Sequence, residues 1–399
     1  MGMIRPLLFA AVCACLFSFS ASAETRVWTW EDGRKFEGEY ISSEEDKVCV
    51  LVNGRERRIT ISMLSPSDRQ YVQQKSEKEQ APGSAHENNN FGDRWPASSV
   101  MEDKLKAKMI EEEDGHYIYE TTHFRFLSPE KLSLSTVSEM GRIFEGAYSA
   151  NMLIPLNAPC RRYEGNLDDK LVAHLFATKE SYAEAVGPNH AESAGLFNGE
   201  AVMVPFQSLG FVKKGAMYAK APGARIDSHT LIHELTHQMT MYGANYRLPI
   251  WYAEGIAEYM GVTPYKNGKL SFTGTKKAVS SYVIGGPGTR SRQLGTHITS
   301  PPLREFLGQS VPEFQSAMGD AIQFNYGMSL VMFYYFAHID GKGDSARLKR
   351  WMRAVQTGAC KPNDYTRLLD GRSWSELEKN VAKGVKSKLG LTITFDDGE

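Results

Sequence analysis

Cysteine is scarce in this chain. Of five cysteines, Cys13 and Cys15 lie in an apolar leader, which leaves Cys49, Cys160 and Cys360 for the folded protein. Three widely spaced thiols exclude a disulfide-framework scaffold. A Cys160–Cys360 bridge and two separate buried thiols both stay open. A charge excess is missing too. Lys and Arg number 46 against 47 Asp and Glu, for a net charge of −1, so charge selects neither nucleic acid nor an anionic membrane as partner. Past the leader, no stretch reaches the roughly 20 apolar residues of a spanning helix. No long internal repeat is present, which excludes a solenoid.

The leader itself, Met1 to Ala23, reads as a secretory signal. Arg5 is the positive n-region, Leu7 to Phe19 the apolar h-region, and Ala21-Ser22-Ala23 the small-residue cleavage site. The apolar run is too short for an anchor. Val12 before Cys13, and the position of Cys15 inside the run, speak against a lipoprotein. The mature protein is expected to start at Glu24 and to be secreted or periplasmic, with no membrane span after signal removal.

Residues 24–72 have the texture of a small all-β module. Val27-Trp28-Thr29-Trp30 alternates, Glu31-Asp32-Gly33 is a turn, and Lys35 to Ile41, Lys47 to Val52 and Arg57 to Ile61 read as strands. Asn53-Gly54 is a hairpin signal, and Leu64-Ser65-Pro66-Ser67-Asp68 begins a short helical turn. Four or five short strands suggest a small barrel whose Trp28, Trp30 and Phe36 are mainly core. Residues 73–99 are polar, without hydrophobic period, and read as a flexible linker.

Residues 100–399 form the expected large domain. Tyr117 to Phe126 alternates as one strand, Leu134 to Met152 has a helical period, and Leu171 to Ala177 is an apolar strand. Glu180 to Ala185 is a short helix. Leu196-Phe197-Asn198-Gly199 signals a hairpin that returns along Ala201 to Val204. Leu270 to Phe272 is extended. Tyr282 to Arg292, rich in Gly, Pro, Ser and Arg, reads as a mobile loop near a cleft mouth. Helices are expected over Leu303 to Leu307, Val311 to Met318, Tyr326 to Ile339, Ser345 to Gln356 and Trp374 to Lys388, with a last strand over Leu391 to Phe395. The Tyr326 helix is apolar nearly all round and should be core.

One stretch carries chemistry. His233-Glu234-Leu235-Thr236-His237 is H-E-x-x-H. On a helix the two histidines sit one turn apart on one face, so their imidazoles can converge on a cation with Glu234 beside them. Two imidazoles and a carboxylate hold Zn²⁺ and leave a position for water, and Glu234 is the candidate general base. Asp227 or Ser228 can cap the helix. Three residues compete for third ligand: Glu254, Glu258 and His229. His229, His233 and His237 form an i, i+4, i+8 row, and a straight helix cannot bring three successive turns to one ion. His229 is therefore expected to line the cleft or the surface. Glu254 and Glu258 share a helix face. Glu254 precedes Gly255, whose missing side chain would allow close packing against the His233 helix. Glu258 is either a hydrogen-bond partner of a ligand imidazole or part of a solvated face. Tyr326 is a candidate oxyanion stabiliser, with Tyr252, Tyr259 and Tyr282 as rivals.

Two resemblances sharpen this reading. His233 to His237 followed by Trp251-Tyr252-Ala253-Glu254-Gly255-Ile256-Ala257-Glu258-Tyr259 resembles the gluzincin metallopeptidases of the MA clan, and within them a group of secreted bacterial proteins. The resemblance covers roughly residues 115–395, with its specific motifs between His233 and Tyr259. It implies a zincin-like α+β domain with a mixed sheet, an active-site helix and a helical C-terminal lobe. It also implies Glu254 as third zinc ligand, although Ala253 stands where the aminopeptidase N-like members have Asn. The same resemblance makes Gly195 to Val204 the candidate for the sheet edge that borders the cleft, although an internal strand is equally open. The N-terminal pattern, from Arg26-Val27-Trp28-Thr29-Trp30 to Tyr71-Val72, resembles the SH3-like Sla-type homology domain, which implies docking to an envelope or extracellular partner. Together they lead to the expectation of an exported zinc-dependent hydrolase, a peptidase acting on peptide or protein substrates. The alternative is a zincin-fold scaffold that docks through its β module. Retention of Glu234 favours the enzyme, because binding alone has no need of it.

Overall fold

The computed structural model describes residues 25–44, 47–52, 55–80, 95–100, 105, 107–113, 115–156, 170–241, 248–286, 290–356 and 358–396. The leader, Asn53-Gly54 and Cys160 lie outside them, as does the Cys49 side chain. The expected signal and the Cys160–Cys360 pairing are therefore not described, while Cys360 itself is buried. The chain divides into two compact units, Met1–His86 and Glu87–Glu399. No helix among the described residues is long and apolar enough to cross a membrane.

The first unit is a four-stranded antiparallel sheet, β1 (Thr25–Thr29), β2 (Lys35–Glu44), β3 (Lys47–Val52) and β4 (Arg55–Thr60), in chain order. A bulge between Tyr40 and Ser42 bends β2. Leu64 then bridges back to Trp30, which returns the chain to the first strand. The core is Trp28, Val48, Val50, Ile59, Leu64 and Val72, with Trp30 and Phe36 packed against it. Helix α1 (Pro66–Gln80) is held by Asp68. This buried carboxylate accepts from the Arg26 guanidinium, from Thr29 N (2.8 Å) and from Ser65 Oγ (2.9 Å). The expected linker is shorter at this end, because α1 continues through residues 73–80, while residues 81–94 of it lie outside the described residues. The second half of α1 is built from Gln, Lys, Ser and Glu, mostly good helix formers that need no apolar face.

The second unit is mixed α and β. Its N-terminal part contains β5 (Ser98–Val100), β6 (Lys108–Glu113), β7 (His116–Glu120), β8 (Phe124–Ser128), α2 (Leu134–Leu153), β9 (Leu171–Phe176), α3 (Lys179–Val186), β10 (Leu196–Phe197), β11 (Val202–Pro205), α4 (Phe206–Leu209), β12 (Phe211–Lys214) and β13 (Met217–Lys220). The main sheet runs β10-β11-β9-β8-β7-β6. Its β11, β9 and β8 are parallel and the other pairs antiparallel. Strand β10 is thus an outer strand and β11 an inner one. The single strand expected over Tyr117 to Phe126 is instead two arms of a hairpin. Its turn is fixed from α2: Glu145 Oε1 accepts from Thr121 Oγ1 (2.7 Å) and His123 N (2.9 Å).

The helical part contains α5 (Ser228–Met241), α6 (Ile250–Val262), β14 (Tyr265–Lys266), β15 (Lys269–Ser271), α7 (Thr275–Ile284), β16 (His297–Ser300), α8 (Leu303–Gly308), α9 (Val311–Ser316), α10 (Asp320–His338), α11 (Ala346–Gln356), α12 (Thr366–Leu369), α13 (Trp374–Leu389) and β17 (Thr392–Phe395). Helix α6 is buried from Ile250 to Gly261 and packs against both α5 and α10. Apolar residues all round α6 and α10 make them the centre of the unit. Gln238 ties α5 to the sheet, its Nε2 donating to Val172 O on β9 (2.8 Å). Trp95 belongs to this unit and not to a linker. It packs on Tyr259 and His338, and its indole donates to Ser345 Oγ (2.9 Å).

Candidate metal centre

Helix α5 supplies the first two donors. Asp227 caps it, accepting from Thr230 N (3.2 Å) and Thr230 Oγ1 (2.9 Å), and the Arg290 guanidinium pairs with the same carboxylate. Leu231, Ile232, Leu235 and Met239 are buried in the core. That fixes the rotation of α5 and turns His233 and His237 toward α6, where Glu254 meets them. The Nε2 atoms of His233 and His237 lie 3.1 Å apart, and Glu254 Oε2 is 3.3 Å from each.

These separations fit a bound cation. A tetrahedral ion with ligand bonds of about 2.0–2.1 Å sets its donors about 3.4 Å apart. Burial supports the same conclusion, because Glu254 Oε2 is shielded from solvent without a well-formed hydrogen bond, an arrangement that is costly unless a charge completes it. His233, His237 and Glu254 could therefore hold a metal ion. Among the described residues no other trio of His, Cys, Asp or Glu side chains converges in this way.

Burial pushes the Glu254 carboxyl up, but the two imidazoles overcome it and hold the group well below the usual carboxylate range. Burial alone would depress His233, yet Glu254, Glu234 and Glu258 raise it to about 9. Glu234 goes the other way. Its burial outweighs the imidazoles and a hydrogen bond, and its carboxyl is raised. That hydrogen bond comes from the outer strand: Phe197 N donates to Glu234 Oε2 at 2.8 Å.

The other candidates separate. Glu258 has no exposed surface and lies with Oε1 3.4 Å from His233 Nδ1, so the solvated-face reading is overturned. His229 stays outside the trio. Its ring nitrogens are shielded and have no hydrogen-bond partner among the described residues, and burial lowers its pKa to about 4. It packs beside Tyr282 and Gly261 and lines a cavity of about 570 Å³ that also reaches Pro264, Tyr265 and Arg290. Tyr326 is near the trio, its ring centre 6.4 Å from that of His233. The charge of Glu254, then burial, pushes its hydroxyl far up, so it stays protonated. Tyr252 is a core residue against Trp251, Phe333 and Trp351, and Tyr259 is another, paired with His338. Tyr282 remains close, on the Glu258 side of the site.

One expectation needs correcting. Gly255 does not serve the α5 contact. A Cβ there would meet Ser329 O at 2.5 Å and Phe333 Cβ at 2.9 Å, so this glycine brings α6 onto α10. The close approach to α5 is at Gly261, where a Cβ would lie 3.1 Å from His229 O. Of the segment expected as a mobile loop, Pro287 to Thr289 lie outside the described residues, while Arg290 and Arg292 are both tied to the site. Arg292 pairs with Glu258, donates to Gln323 Oε1 (2.9 Å), and stacks over Tyr326 with its guanidinium carbon 4.4 Å from the ring centre. No sequence signal marks Arg292, which sits in a Gly- and Pro-rich stretch far from the motif. No protein-family model matches the chain, and no curated protein matches it.

Proposed function

We propose that this protein is an exported zinc-dependent hydrolase, a peptidase with a zincin-like large domain and a docking module at its N-terminus. The observation that carries the reading is the buried convergence of His233, His237 and Glu254, with the raised carboxyl of Glu234 on the same helix. Two imidazoles and one carboxylate suit zinc, and leave one position for substrate or solvent. Zinc supplies Lewis acidity, which activates water and polarises a carbonyl.

The chain's own residues do the rest. Glu234 accepts a proton from the attacking water and delivers it to the departing amine nitrogen. Its carboxylate is aimed by the Phe197 N–H, and burial raises its affinity for the proton it must carry. Tyr326 keeps its own proton and donates a hydrogen bond to the oxyanion. The outer strand β10 offers its edge to extended substrate backbone.

Metal analysis of the mature protein, combined with a peptide-library cleavage screen of the zinc-loaded form, tests the proposal. About one zinc per chain and cleavage that stops on chelation are expected. Zinc without hydrolysis of any peptide would favour a binding scaffold. No metal uptake at all would end the enzyme reading.

A further inference from the structure

Residues 290–294 reach back into the metal centre, with their backbone held against the end of α7. Gly285 has φ +81°, and a Cβ there would strike Ser291 Oγ at 2.8 Å and Gln293 Cα at 2.9 Å. The chain then folds back on the helix end: Arg292 N donates to Tyr282 O and Leu294 N to Val283 O, each at 2.9 Å. On the other side, a Cβ at Gly327 would lie 2.6 Å from Leu294 Cδ1 and 3.3 Å from Arg292 Cβ. Gly285, with its positive φ and the backbone contact at Gln293 Cα, and Gly327, where an added Cβ would press on Arg292 Cβ, together help set where the Arg292 side chain starts.

From there the side chain makes contacts on three sides. One guanidinium nitrogen pairs with Glu258 Oε1, another donates to Gln323 Oε1, and the plane covers Tyr326. Glu258 in turn faces His233 Nδ1. A fully buried carboxylate without a cation tends to turn away or take up a proton. A guanidinium fork held at a second point can instead fix its direction.

We propose that Arg292 is a positioning residue of the metal centre: it locks Glu258 against His233, and so sets how firmly the chain holds its ion. The inference rests on the metal reading above and extends it to a residue outside the three ligands.

The test is zinc affinity by chelator competition for wild type, Arg292→Met, Arg292→Lys, Glu258→Gln and the Arg292→Met/Glu258→Gln double variant, with far-UV circular dichroism to verify the fold. Arg292→Met is expected to weaken zinc by about 10–100-fold, as loss of an orienting partner does. Lys keeps the charge but not the fork, so Arg292→Lys should recover part of the loss. The double variant should bind no more weakly than Glu258→Gln, because the two residues act in series. Wild-type affinity in a folded Arg292→Met protein would overturn the inference. So would a double variant whose loss is the full product of the single losses. If Arg292→Met does not fold, folded Arg292→Lys at wild-type affinity, with Glu258→Gln weakened, supports charge pairing, whereas both at wild-type affinity overturns the inference. A wild-type chain that takes up no zinc would fail one step earlier and overturn the metal reading itself.

Discussion

Glu258 holds Oε1 3.4 Å from Nδ1 of His233 and has no surface in contact with solvent. Burying a carboxylate is costly, so its place behind the imidazole calls for a compensating role. Glu254 and Glu258 sit one turn apart on one helix face, and only Glu254 reaches the Nε2 atoms. Glu254→Ala should therefore abolish tight zinc binding. Glu258→Gln should weaken it by about 10–100-fold while leaving the ion in place. Chelator competition on both variants separates the roles. If Glu258→Gln loses the metal and Glu254→Ala keeps it, the ligand lies one turn further along α6.

Glu234 stands on α5 beside His233 and His237 without joining the trio. Glu234→Gln preserves size and the Phe197 N–H contact through its amide oxygen, but the amide cannot take a proton. Zinc content and melting temperature should stay near wild type, while turnover falls by about 100-fold or more. A variant that loses its zinc would make Glu234 a ligand and not a base.

The helical period made the His233–His237 pair readable, because residues four apart share a face in any helix. Glu254 was favoured by its place before Gly255, a reason that the α10 contact removes, and by resemblance, while Glu258 stayed undecided, since exposure is a tertiary property. The hairpin of β7 and β8 was read as one strand because Thr121-Thr122-His123 contains no Gly, Pro, Asn or Asp to mark the turn. What bends the chain there is Glu145, a residue of α2. Arg292 and Gly255 failed for the same reason. Their meaning lies in α10, whose approach to α6 no local pattern encodes.

His338 predicts an acid limb of stability. Its ring packs on Trp95, its Nε2 lies 2.9 Å from the Tyr259 hydroxyl, and burial lowers its pKa from 6.5 to about 4. The unfolded chain therefore takes up this proton first as pH falls. The stabilisation is fully present above about 6.5 and is lost as pH drops through about 4, to the extent of at most about 3 kcal/mol. His338→Gln should flatten the melting temperature between pH 6.5 and 4 relative to wild type. The flattening should be partial, because His229 is depressed to about 4 as well. Parallel curves for the two proteins would show that His338 is not a source of the slope.

Gly255 gives the sharpest link between packing and the trio that could hold a metal. An added methyl at this position meets the Ser329 carbonyl oxygen at 2.5 Å, and a backbone atom inside a buried helix has little room to yield. Helix α6 would have to move off α10, at a cost of about 1–3 kcal/mol for overpacking. Glu254 is the adjacent residue, so the same displacement carries its carboxylate away from the two Nε2 atoms that it now meets at 3.3 Å. Gly255→Ala should therefore lower both the melting temperature and the zinc affinity. Adding Phe333→Ala should not restore either, since alanine keeps the Cβ that makes the 2.9 Å contact and the carbonyl clash remains. Gly261→Ala is the control. Its nearest contact is 3.1 Å from His229 O, two turns from Glu254, so it should reduce stability with a smaller effect on the metal. Unchanged melting temperature and affinity in Gly255→Ala would mean that the α6–α10 contact does not set the position of Glu254.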